Sequence, residues 1–146
     1  MDTQTGKVDF LKYVAVDDCG TVINPMIVDG QVQGGIAQGI AESMYEEAIY
    51  DYNGILVTSS MMNYLVPSAV EIPVATLDRT VTPSSTNSMG VKGIGEAGTI
   101  AAPPAVLNAV ADALSPLGVT DLQMPVSPQR VWHVIKNATG RNGGPA

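Results

Sequence analysis

The chain has 146 residues, of which 45% are apolar, 14% charged and 5% aromatic, and its formal charge is −7. The acidic balance opposes nucleic-acid binding through a basic patch, and one Cys with one His excludes a disulfide framework and a structural zinc site. No uninterrupted apolar run approaches the ~20 residues of a membrane helix, and the polar start MDTQTGKVDF does not read as a signal peptide.

In chain order, KVDFLKYVAV at 7–16 reads as a strand, and Asp17-Asp18-Cys19-Gly20 as a turn. Asn24-Pro25 supplies an N-cap oxygen and a first-turn proline, so a helix is expected from Pro25 to Glu47, with an apolar stripe of Val28, Val32, Ile36, Ile40 and Met44. EEAIYDYNGILV, residues 46–57, reads as a hairpin around Asn53-Gly54, a pair suited to a tight primed turn. A further extended stretch is expected near Val74–Thr82. A long Ser/Thr/Asn/Gly loop follows over 82–98, a length that marks functional or disordered segments. Helical periodicity resumes from Ile100 to Leu114, with Pro103 and Pro104 tolerable only in a first turn. Ser127-Pro128 opens a short last helix, and ATGRNGGPA reads as a tail, placing a domain at 1–138 and a flexible end at 139–146. The mixed order predicts an α+β fold rather than a regular parallel βαβ series.

Two places depart from plain core-building. Gln31, Gly34, Gly35 and Gln38 fall at i, i+3, i+4 and i+7 on one side of the first helix. Each mid-helix Gly costs roughly 0.5–1 kcal/mol relative to Ala, which suggests close approach, either of a packed element or of a flat polar ligand. The second is Gly90-Val91-Lys92-Gly93-Ile94-Gly95-Glu96-Ala97-Gly98. Its G-x-G-x-x-G (Gly93, Gly95, Gly98), with Asp121 downstream, invites a dinucleotide reading, but the stretch before it is loop rather than strand. Glu96 among backbone N–H groups fits either a general base or a first-turn acid that stabilises the following helix. His133 is expected on the apolar face of the short last helix and reads as structural, and Cys19 has no neighbouring cation to activate it.

The runs VDDCGTVINPMIVDGQVQGGIAQGIAESMYEE, YDYNGILVTSSMMNYLVPSAVEIP and TPSSTNSMGVKGIGEAGTI, in this order, resemble the xanthine dehydrogenase/aldehyde oxidase family. More narrowly, they resemble the C-terminal part of the large molybdenum subunit of aerobic carbon monoxide dehydrogenase-type enzymes. The resemblance spans about Val14 to Ile135 and implies the C-terminal lobe of a molybdenum-cofactor-binding domain. The cofactor so implied is molybdenum held by molybdopterin cytosine dinucleotide, with no His or Cys of the protein bound to the metal. It places Gln38, with Gly34 and Gly35, and the stretch Gly90, Val91, Lys92, Gly93 and Gly95 at the cofactor. It also makes Glu96 the base acting on water at the metal. Iron–sulfur clusters and FAD are expected on partner subunits, the rest of the molybdenum subunit is the nearest partner, and the setting is cytoplasmic, without nucleic acid or membrane.

The family's subunit is several times longer, so the resemblance implies a split subunit or fragment, inactive alone and prone to self-association. The copper-ligating loop of carbon monoxide dehydrogenases lies upstream, which leaves the substrate open. Ser85 and Ser88 stand where relatives often carry proline, and Asn63 where Asp is common. Two other readings are a nucleotide-binding module built on Gly93–Gly98 and a non-catalytic assembly subunit. The low charge, against roughly 25% in typical soluble domains, fits faces covered by a larger body.

Overall fold

A computed structural model describes residues 1–141. The elements in order are β1 (Val14–Asp18), α1 (Pro25–Met44), β2 (Thr76–Thr80), α2 (Ala97–Leu114), a short 3₁₀ turn (Ser115–Leu117) and α3 (Pro128–Arg141). The α+β class is as expected. The two strands pair in parallel, with Val14 opposite Thr76 and Asp18 opposite Thr80.

Two compact units divide the chain, each with its own core. One comprises Phe10–Ile40 and Ser68–Pro103. It contains both strands and buries Val28, Val32 and Ile36 of α1 with Ala102 of α2. The stripe recognised in the sequence is therefore the inner face of α1, and Asn24 caps it, its Oδ1 accepting the Met26 and Ile27 N–H groups at 3.1 and 3.4 Å. Gln33 fixes the chain ahead of β2 with both ends of its amide: Nε2 donates to Pro73 O and Oε1 accepts from Ala75 N, each at 3.1 Å.

The other unit comprises Met1–Asp9, Ala41–Pro67 and the chain from Pro104 onward. Val106, Val110 and Leu114 of α2 are buried in it, with Val126 and with Val131 and Ile135 of α3. Ser127 opens α3 as expected, its Oγ accepting the Arg130 N–H. His133 is exposed rather than set in an apolar face, with its ring edge-on to Trp132 at 5.0 Å. The hairpin forms, with Tyr50 bridged to Leu56. Its turn differs from expectation, because only Gly54 takes a positive φ (80°). Gly54 N donates to Asp51 O and Asp51 N donates to Ile55 O, the pattern of a type I turn closed by a glycine bulge.

Several element limits move. The first strand covers only Val14–Asp18 because only those residues find partners in β2, so Asp17 and Asp18 end a strand rather than forming a turn. Helix α1 ends at Met44, three residues before the expected Glu47. Helix α2 begins at Ala97, which puts Pro103 and Pro104 beyond its first turn. Helix α3 runs through Arg141, past the expected domain limit at 138; the rest of the expected tail lies outside the described residues. By length and composition alone Ala97–Leu117 could cross a membrane, although Asn108 and Asp112 interrupt its apolar run and its apolar stripe supplies the buried residues just named.

Candidate cofactor site

The Gly-rich loop is built onto the end of β1. Gly20 and Val91 form an antiparallel bridge, Lys92 N donates to Cys19 O at 2.8 Å, and Gly90 O accepts from both Thr21 N (2.9 Å) and Ser84 N (3.0 Å). Gly20 and Gly90 both have φ of +67°, and a Cβ on Gly20 would lie 2.3 Å from Gly90 O, so glycine is required by conformation and by space together. Asn87 braces the loop from within: its Nδ2 donates to Val91 O at 3.0 Å and its Oδ1 accepts Val91 N at 3.1 Å.

Asp18 is the charged centre of this attachment. Its Oδ1 accepts the N–H groups of Gly20 (2.8 Å) and Thr82 (3.2 Å), and its Oδ2 accepts from Lys92 Nζ at 3.0 Å. Hydrogen bonding from Thr82 first, then the Gly20 N–H and the Lys92 ammonium, holds the Asp18 carboxyl well below the usual carboxylate range. Its neighbour Asp17 has one buried carboxylate oxygen, Oδ2, without a hydrogen-bond partner among the described residues.

Beyond Lys92 the chain passes through Gly93-Ile94-Gly95 to Glu96, whose side chain is exposed and whose carbonyl accepts Thr99 and Ile100 N–H as α2 begins. Gly93 and Gly95 are exposed, have no positive φ, and would meet nothing within 4 Å if given a Cβ. Neither backbone conformation nor packing in the chain accounts for glycine at these two positions. The same holds for Gly34 on α1.

Gly35 behaves differently. A Cβ there would lie 2.9 Å from Thr99 N, and Gly35 O accepts from Thr99 Oγ1 at 3.1 Å. Close contact with α2 accounts for glycine at this position without calling on a ligand. Gly98 and Gly39 serve the same contact, since a Cβ on Gly98 would lie 2.4 Å from Val32 O and one on Gly39 2.4 Å from the Ala102 Cβ. Gln38, exposed on α1, accepts from Thr99 Oγ1 at 3.3 Å, which brings it to the start of the helix that Glu96 opens. The backbone polar groups of Gly90, Val91 and Lys92 are largely spent inside the loop, so these residues hold the loop while Gly93 and Gly95 present open backbone.

A small, mainly apolar cleft of about 230 Å³ lies between this loop and the start of α1, lined in part by Cys19, Ile23, Ile27, Val91, Lys92 and Ile94. A larger one, about 740 Å³, occurs in the other unit around Ser115–Asp121 and contains none of the loop residues. Among the described residues no three His, Cys, Asp or Glu side chains cluster as metal ligands. The dinucleotide fingerprint lacks its structural context: β2 ends at Thr80, and a long loop separates it from Gly93. Sequence reading missed Asp18 as an anchor and Asn87 as a brace. A spacing of four between Asn87 and Val91 inside a Gly/Ser-rich loop was the available signal for the second.

Comparison with known proteins gives a consistent result. The profile of the molybdopterin cofactor-binding domain matches residues 1–73. The chain is 43% identical to the nicotine 6-hydroxylase large subunit of Paenarthrobacter nicotinovorans over 98% of its own length and 18% of that subunit. It is 41% identical to the carbon monoxide dehydrogenase large chain of Hydrogenophaga pseudoflava over 93% and 17% of the respective lengths. The crystal structure of the Cu,Mo-CO dehydrogenase in its carbon monoxide-reduced state superposes with a TM-score of 0.92 at 40% identity, over 95% of this chain and 18% of that one. The chain thus spans about a sixth of the length of the relatives it matches. By the family profile and by these likenesses in sequence and structure, it belongs to the molybdopterin cofactor-binding domain family and corresponds to part of the large subunit of molybdenum-dependent oxidoreductases of the xanthine dehydrogenase/aldehyde oxidase type.

Proposed function

We propose that this chain forms the base-bearing side of a molybdopterin site in a molybdenum hydroxylase-type enzyme, with Glu96 as general base. The observation that carries the reading is the pair Gly93 and Gly95 beside an exposed carboxylate: a Cβ would fit at both positions, yet both are glycine. Bare backbone before a helix start suits a flat, anionic pterin phosphate group, which N–H donors and the helix dipole favour. Gly34 would give α1 a comparable bare patch, and the Gln38 amide offers donors and an acceptor beside it. The cofactor, when bound, supplies two-electron redox chemistry at the metal. Glu96, an exposed carboxylate at the start of α2, would hold and move a proton beside that group.

The cytosine dinucleotide form of the cofactor, and partner subunits carrying iron–sulfur clusters and FAD, belong to the same proposal. The remainder of a large chain is its nearest partner, and the arm Ile49–Val66 supports this. Tyr52, Met61 and Met62 are 97%, 79% and 92% exposed, and Asp51 is the arm's single charged residue. Interface cores share this depletion of charge.

Glu96→Gln in the assembled enzyme tests the central role. Turnover is expected to fall by about 10²–10⁴-fold, the usual contribution of a positioned acid or base, with molybdenum and pterin content unchanged. Near-normal turnover would remove Glu96 from the chemistry. Binding of a dinucleotide by the chain without molybdopterin would favour a nucleotide-binding module instead.

A further inference from the structure

We infer that Asp18 and Lys92 act as one positioning unit for the Gly93–Glu96 segment, with Lys92 working through Asp18 rather than as a direct ligand of the pterin. The inference rests on the proposed role of Glu96. Lys92 is attached at two points, backbone N–H to Cys19 O at 2.8 Å and Nζ to Asp18 Oδ2 at 3.0 Å, both on the end of β1. The carboxylate receiving the ammonium is itself oriented, because its other oxygen accepts the Gly20 and Thr82 N–H groups. Residues 90–92 are thereby tied to β1, to Ser84 and to Asn87. Glu96 is tied at the other side through its carbonyl to Thr99 and Ile100.

Between these fixed ends run only Gly93, Ile94 and Gly95, two of them without side chains. Glycine gives this span no stiffness of its own, so its course is set by where Lys92 and α2 hold it. Without the ammonium–carboxylate contact the upstream end is held by its backbone bonds alone, and this looser attachment lets the Glu96 carboxylate shift. A positioning error of about 1 Å can cost a catalytic group as much as 10²-fold. The low pKa of Asp18 keeps the carboxylate charged through neutral pH, so the pair persists under working conditions.

A double-mutant cycle in the assembled enzyme tests the inference. Asp18→Asn and Lys92→Met are each expected to lower kcat roughly tenfold with little change in KM, and the double variant should lose no more than either single one. Amide hydrogen exchange at Val91 and Lys92, whose N–H groups are bonded, should quicken equally in all three, with molybdenum and pterin content retained, and Lys92→Arg should recover part of the activity. Loss of pterin in Lys92→Met alone, with Asp18→Asn intact, would overturn the proposal and make Lys92 a direct ligand. Additive losses would overturn it as well. Should Asp18→Asn fail to fold, exchange and pterin content in Lys92→Met and Lys92→Arg decide the matter. The exchange readout does not depend on Glu96: if Glu96→Gln stays active while the cycle couples, the positioning unit stands and the base assignment falls.

Discussion

The glycines of the α1–α2 contact and those of the open loop look alike in sequence and differ in every physical respect. At Gly35, Gly39 and Gly98 the fold itself occupies the space a side chain would take. At Gly34, Gly93 and Gly95 nothing in the chain does, and no left-handed φ requires them. The first set explains itself through helix packing. The second set, like Gly30 and Gly140, is not explained by the fold, and within it the proposed pterin site rests on Gly93 and Gly95 standing beside Glu96.

The comparison can be broken experimentally, and Gly98 offers the largest effect. Gly98→Ala places a methyl 2.4 Å from the Val32 carbonyl, a backbone atom that cannot swing aside. A loss of roughly 3 kcal/mol is expected, at the upper end of overpacking costs, and would appear as a lowered midpoint in denaturant unfolding of the assembled protein. An unchanged midpoint would mean that the two helices part easily and that the close contact is not a constraint.

Gly93→Ala should do the opposite. Stability is expected to hold or rise by about 0.4–1 kcal/mol, because the residue loses freedom in the unfolded chain without meeting a clash. Pterin content of the purified enzyme should nevertheless fall. Full cofactor retention would mean that no ligand approaches the backbone there.

The smallest effect concerns acid. The folded pKa of Asp18 lies below its unfolded value of ~3.9, so its contribution to stability is present above that value and fades as pH falls through the folded one. Slow amide exchange at Lys92 should therefore survive from neutrality down to about pH 4. Loss of protection between pH 7 and 5 would show that another group governs the loop.

Local chemistry made part of this legible in the sequence. Asn24-Pro25 and Ser127-Pro128 mark helix starts because their caps act within three residues. The apolar stripe that recurs every four residues marks the inner face of α1 for the same reason of short range. What escaped depends on distant partners. The first strand was read too long because its extent is decided by Thr76–Thr80, some sixty residues later. The start of α2 lies earlier than expected, where Gly98 packs against the Val32 carbonyl, a contact that no neighbouring residue signals. Gln33 carries no signal in its local sequence, since both of its partners lie beyond the hairpin. In the site, Glu96, Gln38 and the Gly93–Gly95 backbone stood out through composition. The division of labour between holding residues (Gly90–Lys92, Gly35) and open ones needed coordinates.

The two adjacent methionines of the Ile49–Val66 arm carry a last consequence. Met61 and Met62 present thioethers to solvent wherever the arm is bare, and a thioether oxidised to sulfoxide becomes polar. Mild peroxide would thus mark uncovered copies and spare covered ones, making these two sulfur atoms a chemical record of whether the chain had found its place in the larger body.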